Sequence, residues 1–390
     1  MGKKRTKGGY LEVRHDLEGL LEISNHYLTA FADLGFHTIV VCLKGGRDPR
    51  IIEQIPADRV IVLEQPRWDP FNLGAPVAVW RLCRRNGITH LVTHRYRPAF
   101  IVGLATLFHR PLLVLAVIHG ERQFARVGRR IAARILFRKP WFKLIGVSKS
   151  AREDILNSLP QKDPQDVIAV PNCIDVDKTE AQLLSAGAAR ARLGIGGEPF
   201  VFGNIGRLAA AKDQLTLIRA FHAAHRQMND AILVIVGWGS LEPVLKAEVE
   251  RLGLDDKVIR AGRIDQAWRL MKAFDCFIAT SVSEGFGLVL VEAMVARRPI
   301  IATRIGSFLE ILGGQAPLFE CGDAEAIGQA MADCYRLTDR ARMELGKEGY
   351  ERVRRLFSTT AFRQRILAIV EAASVPSGTR KPSTSGVTDE

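Results

Sequence analysis

The sequence predicts an α/β protein with two similar units, each built on a doubly wound parallel sheet. Strand-like and helix-like stretches alternate over residues 10–147, and the same alternation resumes over residues 200–302. Such alternation favours parallel strands joined by crossover helices, with helices on both faces of the sheet. Two units of this kind in one chain predict a cleft between them, and ligands of parallel sheets bind beyond the carboxyl ends of the strands.

The first unit alternates buried strands with helices of amphipathic spacing. The stretch 37–43 shows this best, because it is rich in β-branched residues and follows a helix that stops at Gly35. An apolar run at 99–118 has about the length of a membrane span, but Arg110 and Pro111 interrupt it, so we predict a helix followed by a strand. Strands are predicted at 10–13, 37–43, 59–63, 90–93, 112–118 and 144–147, and helices at 19–34, 76–85 and 122–137.

The second unit repeats the alternation, and three more helices follow it. We predict strands at 200–204, 231–236, 257–260, 276–280 and 299–302, and helices at 214–226, 241–252, 265–273, 288–296, 323–336, 339–357 and 360–373. The last residues are rich in Ser, Thr, Pro and Gly, which favours disorder. The predicted division is an N-terminal domain at 1–175, a linker at 176–198, a C-terminal domain at 199–358, a helix at 359–373 that crosses back to the N-terminal domain, and a disordered tail at 374–390.

The charge of the chain is concentrated in its first part. The 390 residues carry a net charge of +13, but residues 1–150 have 25 Lys and Arg against 11 Asp and Glu, whereas residues 151–390 have 30 against 31. We therefore expect two bodies with different electrostatic roles. The six cysteines are scattered without a CxxC motif, which argues against a disulfide scaffold or a zinc site and favours a reducing, cytoplasmic compartment. Gly8-Gly9-Tyr10 follows the basic start where a signal peptide would be apolar, so none is predicted.

Two cations follow the first strand of the second unit. Gly206 allows a tight exit from the strand, and Arg207 and Lys212 lie five residues apart just beyond it. An arginine fork and a compact lysine charge placed together are suited to a phosphate group. The alternative is two exposed cations on a loop.

Glycines and two carboxylates surround the start of the helix predicted at 288–296. Gly285 and Gly287 bring backbone N–H groups close to a ligand, and a helix N-terminus favours negative charge. Glu284 precedes this helix and Glu292 lies about one turn into it, so sugar hydroxyls are natural partners for these carboxylates. The alternative is that Glu292 only complements the helix dipole and Glu284 only caps the helix.

A third glycine motif follows the strand at 231–236. Gly237 and Gly239 flank Trp238, but Glu242 stands where a dinucleotide-binding fingerprint would have a third glycine. The motif is therefore a weak dinucleotide signal, whereas a close backbone approach to a nucleobase is plausible.

Together these motifs resemble glycosyltransferase family 4, the retaining enzymes of the GT-B fold. The resemblance rests on the E-x7-E pair, the GRL…K loop, the VGWG turn, Val147-Ser148 and the PNxID pattern at 171–175, and it covers residues 90–358. It implies two facing Rossmann-like doubly wound domains with a cleft between them. The C-terminal domain would bind a nucleotide-diphosphate sugar, UDP-linked by family habit, and the N-terminal domain would bind the acceptor, as in glycosyltransferases of the lipopolysaccharide core.

The resemblance also implies a role for each site residue. The diphosphate would be held by Arg207 and Lys212. Glu284 would bind hydroxyls of the donor sugar, Glu292 those of the ribose, and His119 would face the donor sugar from the N-terminal domain. The catalytic set is His119, Glu284, Arg207 and Lys212, and the donor-binding set is Gly206, Arg207, Lys212, Gly237, Gly239, Phe286, Gly287, Leu288 and Glu292.

Two positions depart from the family pattern. The loop at 16–22 holds one glycine where family members have several, and Cys173 replaces the usual glycine of the PNxID turn, which must then adopt another conformation or tolerate strain. The triplet Asp175-Val176-Asp177 resembles a metal-binding DxD, but it lies within the PNxID loop. We therefore expect no metal and no cofactor besides the donor.

Residues 122–143 carry eight cations and no acidic residue, with aromatic and aliphatic residues between them. A basic amphipathic helix with aromatic residues is typical of a membrane-surface element. We therefore predict contact with an anionic membrane at its cytoplasmic face and a lipid-linked anionic acceptor, with the lipopolysaccharide core as the first candidate. The alternative is a solvated helix that packs its apolar side on the sheet.

Other functions fit the sequence less well. A catalytically silent GT-B protein would not need the complete set of Arg207, Lys212, Glu284 and Glu292. A GT-B sugar epimerase would lack the E-x7-E pair. The basic balance suggests a nucleic-acid binder, but no aromatic RNP motif, zinc-ligand spacing or helix-turn-helix pattern supports one, so no nucleic-acid partner is predicted.

Overall fold

The computed structural model describes residues 8–17, 20–44, 48–63, 74–120 and 122–374, and the statements below concern these residues. The basic start of the chain, part of the loop at 16–22, and residues 375–390 of the predicted tail lie outside them.

The first sheet has seven parallel strands in the order β3-β2-β1-β4-β5-β6-β7. The chain starts at the centre, moves to one edge and then crosses to the other, which is the doubly wound order predicted above. The strands are β1 (Gly9–Arg14), β2 (His37–Cys42), β3 (Arg59–Val62), β4 (Ile88–His94), β5 (Leu113–Ile118), β6 (Phe142–Gly146) and β7 (Val167–Ala169).

The second sheet repeats this order with six parallel strands, β10-β9-β8-β11-β12-β13. The α/β fold class and the two doubly wound sheets are thereby confirmed. The strands are β8 (Phe200–Ile205), β9 (Ala231–Val236), β10 (Val258–Gly262), β11 (Cys276–Ala279), β12 (Ile300–Thr303) and β13 (Leu318–Phe319).

Most predicted helices are present, but the helices at Pro49–Ile52, Lys149–Ser158 and Gly306–Leu312 were not predicted, and a few others differ. The 265–273 segment is a 3-10 helix at Ala267–Ala273, and the helix predicted at 122–137 is shorter because its first residues form turns. The predicted linker 176–198 contains two helices. The α-helices are α1 (Leu21–Asp33), α2 (Pro49–Ile52), α3 (Ala75–Arg85), α4 (Tyr96–Ala105), α5 (Val127–Leu136), α6 (Lys149–Ser158), α7 (Val176–Gln182), α8 (Ala186–Arg192), α9 (Gln214–Ala224), α10 (Glu242–Arg251), α11 (Leu288–Val295), α12 (Gly306–Leu312), α13 (Ala324–Arg336), α14 (Asp339–Leu356) and α15 (Thr359–Ser374).

The apolar run at 99–118 is a helix followed by a buried strand, as predicted. It comprises most of α4 and all of β5, whose six residues are buried. A strand covered on both faces needs an uninterrupted apolar sequence, which explains its resemblance to a membrane span. In the described part of the chain, no helix combines the length and apolar character that crossing a bilayer requires.

The last helix joins the two halves of the molecule. Helix α15 packs against α1 of the N-terminal half, where the ring of Phe362 meets that of Tyr27 edge-on at 4.8 Å. Arg363 and Asp33 form an ion pair beside this contact. The backbone N–H of Ile174 donates to the carbonyl of Phe357 at 2.9 Å, so the chain is also bridged where the helix begins.

Phe362→Ala is expected to destabilise the protein by about 3–5 kcal/mol, because it removes a fully packed ring at the contact between the halves. Urea unfolding measures this change. Arg363→Ala is the matched control, since its exposed ion pair contributes at most about 1 kcal/mol. Equal effects of the two substitutions would contradict the packing argument.

Candidate functional site

The predicted site residues lie at the carboxyl ends of the strands of both sheets. The loop at 206–212 follows β8, and the loop at 280–287 follows β11. His119 follows β5 of the first sheet. Because parallel strands end at the same edge, each sheet presents its loops to one side, and these loops meet between the two halves.

The loop at 206–212 is held by hydrogen bonds from its surroundings. The Thr280 hydroxyl donates to the carbonyl of Lys212 at 3.1 Å, and the buried Gln214 amide donates to the carbonyl of Arg207 at 3.0 Å. Lys212 ends a short 3-10 helix, and the side chain of Arg207 is exposed. The backbone is therefore fixed, and the Arg207 guanidinium faces solvent, where it can take an anion.

Lys212 and Glu284 are brought together from the two loops. The Lys212 ammonium donates to Oε1 of Glu284, and the Ser281 hydroxyl donates to the same oxygen at 3.1 Å. Both charged side chains are partly buried. The two motifs that sequence analysis placed 72 residues apart thus form one constellation.

Glu292 lies behind this ion pair on α11. Burial raises the pKa of Glu292 to about 8, the nearby Glu22 carboxylate acts in the same direction, and Lys212 opposes both. Glu292 is therefore largely protonated at neutral pH, and a protonated carboxyl both donates and accepts hydrogen bonds. Glu22, on α1 of the N-terminal half, was not predicted at the site, since a single exposed glutamate gives no sequence signal.

The start of α11 is shaped by glycine. Gly287 has a φ of 102°, which disfavours any residue with a side chain. A Cβ there would also lie only 2.7 Å from the Phe308 ring, so a side chain would not fit. Among the described residues, no side chain caps this helix, so its first N–H groups from Leu288 onward are suited to an anion. The Phe286 ring is buried against Phe357, so Phe286 has only backbone to offer a ligand.

Gly237 and Gly239 have a structural explanation of their own. A Cβ on Gly237 would lie 1.8 Å from the carbonyl oxygen of Gly206, and one on Gly239 would lie 2.1 Å from that of Leu208. The two loops are also joined by a hydrogen bond from the Leu208 N–H to the carbonyl of Trp238, 3.0 Å long. The backbone at Gly237 and Gly239 therefore packs closely against the loop at 206–212, and a role toward a nucleobase stays a prediction.

Sequence analysis gave Trp238 no separate role, although its ring is exposed at this edge. The Arg263 guanidinium lies 5.5 Å from the ring centroid, which makes a cation–π contact beside the loop at 206–212. The signal in the sequence was the position of the tryptophan between two glycines.

His119 reaches the loop at 280–287 from the other half. A Cβ on Gly285 would lie 2.1 Å from the His119 carbonyl oxygen, and the buried Ser148 hydroxyl donates to the Gly285 carbonyl at 2.9 Å. The imidazole Nε2 lies 2.9 Å from Nδ1 of His94, a residue that was not predicted. Burial holds the pKa of His119 well below its ordinary value, and His94 and Arg95 act in the same direction.

The departures from the family pattern have local explanations. Cys173 is buried and is not among the described residues with positive φ, so the turn adopts another conformation without left-handed strain. In the loop at 16–22, Leu20 has a φ of 67° just before α1, a region that favours glycine. Asp175 caps α7 by accepting from the Lys178 N–H at 3.1 Å, and Asp177 pairs with Arg354 at 2.7 Å.

The basic segment 122–143 divides into buried and exposed residues. The rings of Phe124, Phe137 and Phe142 belong to the core, and Lys143 pairs with Asp166, so these residues do not face outward as expected. The exposed apolar residues of α5 instead form a stripe of every fourth residue, Val127, Ile131 and Ile135, and Leu107, Phe108 and Leu112 are exposed near the adjoining end of α4. Phe108 is 78% exposed.

Two family models match the chain, and together they cover both halves. "Glycosyltransferase Family 4" matches residues 25–178, and "Glycosyl transferases group 1" matches residues 186–352.

Similar proteins include enzymes that act on lipid-linked molecules. An N-acetylgalactosamine-N,N'-diacetylbacillosaminyl-diphospho-undecaprenol 4-alpha-N-acetylgalactosaminyltransferase of Campylobacter jejuni is 26% identical over 57% of this chain and 60% of its own. A phosphatidyl-myo-inositol mannosyltransferase of Mycobacterium leprae is 30% identical over 56% of this chain and 57% of its own. The chain spans between 33% and 60% of the length of the first curated relatives it matches.

The fold is shared with solved structures over nearly the whole chain. The structure of Alr3699/HepE from Anabaena in complex with UDP has a TM-score of 0.79 at 18% identity, covering 93% of this chain and 100% of its own. The paired doubly wound sheets and the two family matches lead to one conclusion. The chain belongs to glycosyltransferase family 4 and has the GT-B fold.

Proposed function

We propose that the protein is a retaining glycosyltransferase that moves a sugar from a nucleotide-diphosphate sugar, UDP-linked, to a lipid-linked anionic glycan. The observation that carries the proposal is the meeting of Lys212, Glu284 and the start of α11 opposite His119. These groups combine a cation, a carboxylate and backbone donors, which is what a sugar diphosphate requires.

Donor binding would exchange the ion pair for contacts with the ligand. In the structure, the Lys212 ammonium donates to the Glu284 carboxylate. With a donor bound, Lys212 and Arg207 would take the diphosphate and Glu284 would accept hydrogen bonds from sugar hydroxyls. Glu292, on α11, would bind the ribose hydroxyls.

The reaction follows from where charge develops. The bond between the sugar C1 and the diphosphate oxygen breaks, and the negative charge grows on that oxygen. Lys212, Arg207 and the first N–H groups of α11 would stabilise this charge more in the transition state than in the ground state. The acceptor hydroxyl would attack C1 from the same face and give its proton to the leaving phosphate, so the configuration is retained.

No metal or further cofactor is part of the proposal, because cations and the helix start supply the positive charge. The carboxylates also have other partners. Glu284 accepts from Lys212 and Ser281, and Glu292 is largely protonated at neutral pH, so neither acts as a covalent nucleophile in the proposed reaction.

An anionic, lipid-linked acceptor is supported by charge and by the exposed apolar stripe. The stripe Val127, Ile131 and Ile135 lies on a helix that also carries three arginines, and Ile135 is 65% exposed. A surface that is both basic and apolar suits the interface of an anionic bilayer. The proposed location is the inner face of the cytoplasmic membrane.

The names of relatives support the same acceptor class. One contains diphospho-undecaprenol and the other phosphatidyl-myo-inositol. The lipopolysaccharide core, which carries phosphates, is the specific acceptor we propose, and other lipid-carried polysaccharide intermediates share its chemistry.

The second candidate is a catalytically silent protein that binds a nucleotide sugar or a membrane. Thermal shift with nucleoside diphosphates identifies the base, and turnover of the matching nucleotide sugars with lipid-linked acceptors then separates the two functions. Binding without turnover of any nucleotide sugar would favour the silent protein.

Lys212→Ala and Glu284→Ala are each expected to lower the transfer rate by about 100-fold or more, because each removes a group that acts on the donor. Steady-state transfer measures the loss, and thermal unfolding checks that the fold is intact. Lys246→Ala, at an exposed lysine of α10, is the control and should keep wild-type activity. Near-normal transfer by either site variant would reject the site assignment.

Glu292→Gln is expected to change the pH dependence of stability. Between the ordinary pKa of 4.5 and about 8, the unfolded chain releases the Glu292 proton while the folded protein keeps it, so wild-type stability falls as pH rises through this range. Glutamine removes this loss. Urea unfolding should therefore show that the free energy of unfolding of the variant rises relative to that of the wild type between about pH 5 and about pH 8.5.

If the difference in free energy of unfolding between the wild type and Glu292→Gln stays constant with pH, the raised pKa of Glu292 is contradicted. Glu351→Gln, at an exposed glutamate of α14, is the control and should show no such trend.

The double variant Ile131→Asp/Ile135→Asp is expected to reduce binding to anionic vesicles by at least about 10-fold, since it replaces two apolar side chains with charges of the wrong sign. Flotation with phosphatidylglycerol-containing and phosphatidylcholine vesicles measures the effect. Met343→Asp, at an exposed apolar residue of α14, is the control. Equal wild-type binding to both vesicles, or binding to neither, would remove the membrane proposal.

A further inference from the structure

Two buried polar side chains and one partly buried imidazole form a line beneath the site in the first sheet. Glu12 lies on β1, His94 ends the neighbouring strand β4, and His119 follows β5, the next strand along. His94 Nε2 is 3.4 Å from Glu12 Oε1, and His94 Nδ1 is 2.9 Å from His119 Nε2. The line therefore runs from the centre of the sheet to the residue that faces the other half.

Glu12 begins the line as an ionised acceptor. Arg14 Nε donates to its Oε1 at 2.6 Å, and the Tyr10 hydroxyl donates to its Oε2 at 2.7 Å. Burial acts to raise the pKa of Glu12, but Arg14 and His94 outweigh it and hold the pKa below its ordinary value. At 3.4 Å, His94 Nε2 makes an electrostatic contact with this carboxylate rather than a hydrogen bond, and an N–H there is favoured because a lone pair would face the negative charge.

The next step concerns the charge of His94. Arg14 already neutralises Glu12, so a protonated His94 would leave an uncompensated positive charge among buried groups, which is costly. A ring with one proton, on Nε2 toward Glu12, and a lone pair on Nδ1 avoids that cost. The Tyr27 ring packs against the His94 ring in a T-shaped arrangement, with 5.2 Å between the ring centroids, and limits its rotation.

The tautomer of His119 follows from that of His94. In that arrangement His94 Nδ1 accepts from His119 Nε2 across the 2.9 Å contact, and His119 Nδ1 is left with a lone pair. That nitrogen is buried and has no hydrogen-bond partner among the described residues. An unpaired buried acceptor is costly, and a donor group of a ligand would satisfy it.

We propose that Glu12 and His94 are positioning residues that hold His119 as the Nε2–H tautomer, with Nδ1 reserved to accept from a sugar hydroxyl. The inference rests on the proposed function, because His119 affects transfer only if the cleft binds a sugar donor. A lone pair repels phosphate oxygens, so the arrangement assigns His119 to the sugar and leaves the diphosphate to Arg207 and Lys212.

The first test measures the tautomer directly. Long-range nitrogen–proton NMR correlations of the histidine rings report which nitrogen carries the proton, and His119→Gln identifies the His119 signals. We expect the Nε2–H form of His119 in the wild-type protein at neutral pH. An Nδ1–H form or an imidazolium would overturn the inference, whatever the activity of the protein.

The second test compares two buried histidines of β4. His94→Phe is expected to lower kcat by up to about 100-fold with little change in KM for the nucleotide sugar, because the diphosphate contacts remain while His119 is no longer held in place. His94→Gln should recover part of this loss, since its amide has both a donor and an acceptor. Control His90→Phe should keep wild-type kcat, because the His90 ring packs on Phe36 instead.

Unchanged kcat and an unchanged His119 tautomer in His94→Phe would overturn the positioning role. If His94→Phe fails to fold, the wild-type tautomer and the kinetics of His94→Gln decide, since a structural role alone would not move the tautomer. Absence of transfer by the wild-type protein with any nucleotide sugar would count against the proposed function, whereas the NMR measurement would still decide the inference drawn here.

Discussion

The site depends on one backbone contact between the halves of the chain. Gly285 lies so close to the His119 carbonyl that no side chain fits between them, and Ser148 donates a hydrogen bond to the Gly285 carbonyl from the same side. The distance across the cleft at this point is thus set by main chain against main chain. Because Glu284 is next to Gly285, its position relative to the His119 imidazole is fixed by this contact. The other site residues are arranged around Glu284 and His119.

Charge at the site is balanced before any ligand arrives. Lys212 is paired with Glu284, and the second carboxyl, Glu292, is neutralised by a proton rather than by a cation. Arg207 is the exposed cation on the adjoining loop. An incoming diphosphate therefore meets backbone donors and cations rather than unpaired carboxylates, which reduces the electrostatic repulsion that an anion would meet on entering the cleft.

Much of the fold was predictable because most strands are short apolar runs and most helices show the helical spacing of apolar residues. The strands missed from the sequence are β7 and β13, which have three and two residues and carry too little pattern. The motif residues were also predictable as a group, since loops after parallel strands share one edge. The Lys212–Glu284 contact itself depends on how the loops fold, which spacing along the chain does not contain.

Other features depended on contacts that no local pattern records. Glu12 and His94 are polar residues in largely buried strands, and their meaning appears only when β1, β4 and β5 lie side by side. On α5, apolar residues occur on both sides of the helix, so the sequence did not reveal that Ile131 and Ile135 would be exposed while Phe137, just beyond the helix, is buried. The packing of α4 against α5 determines which of these apolar residues are buried and which are exposed.

The position of α15 has a consequence for the order in which the protein matures during synthesis. Tyr27 belongs to the first helix, yet its ring is covered by Phe362, near the end of the described chain. On the ribosome, the N-terminal half emerges with this apolar surface uncovered, and it remains so until more than three hundred further residues have been made. A nascent chain in this state leaves the Tyr27 ring without its cover, and the contact between the halves is completed only by the last helix.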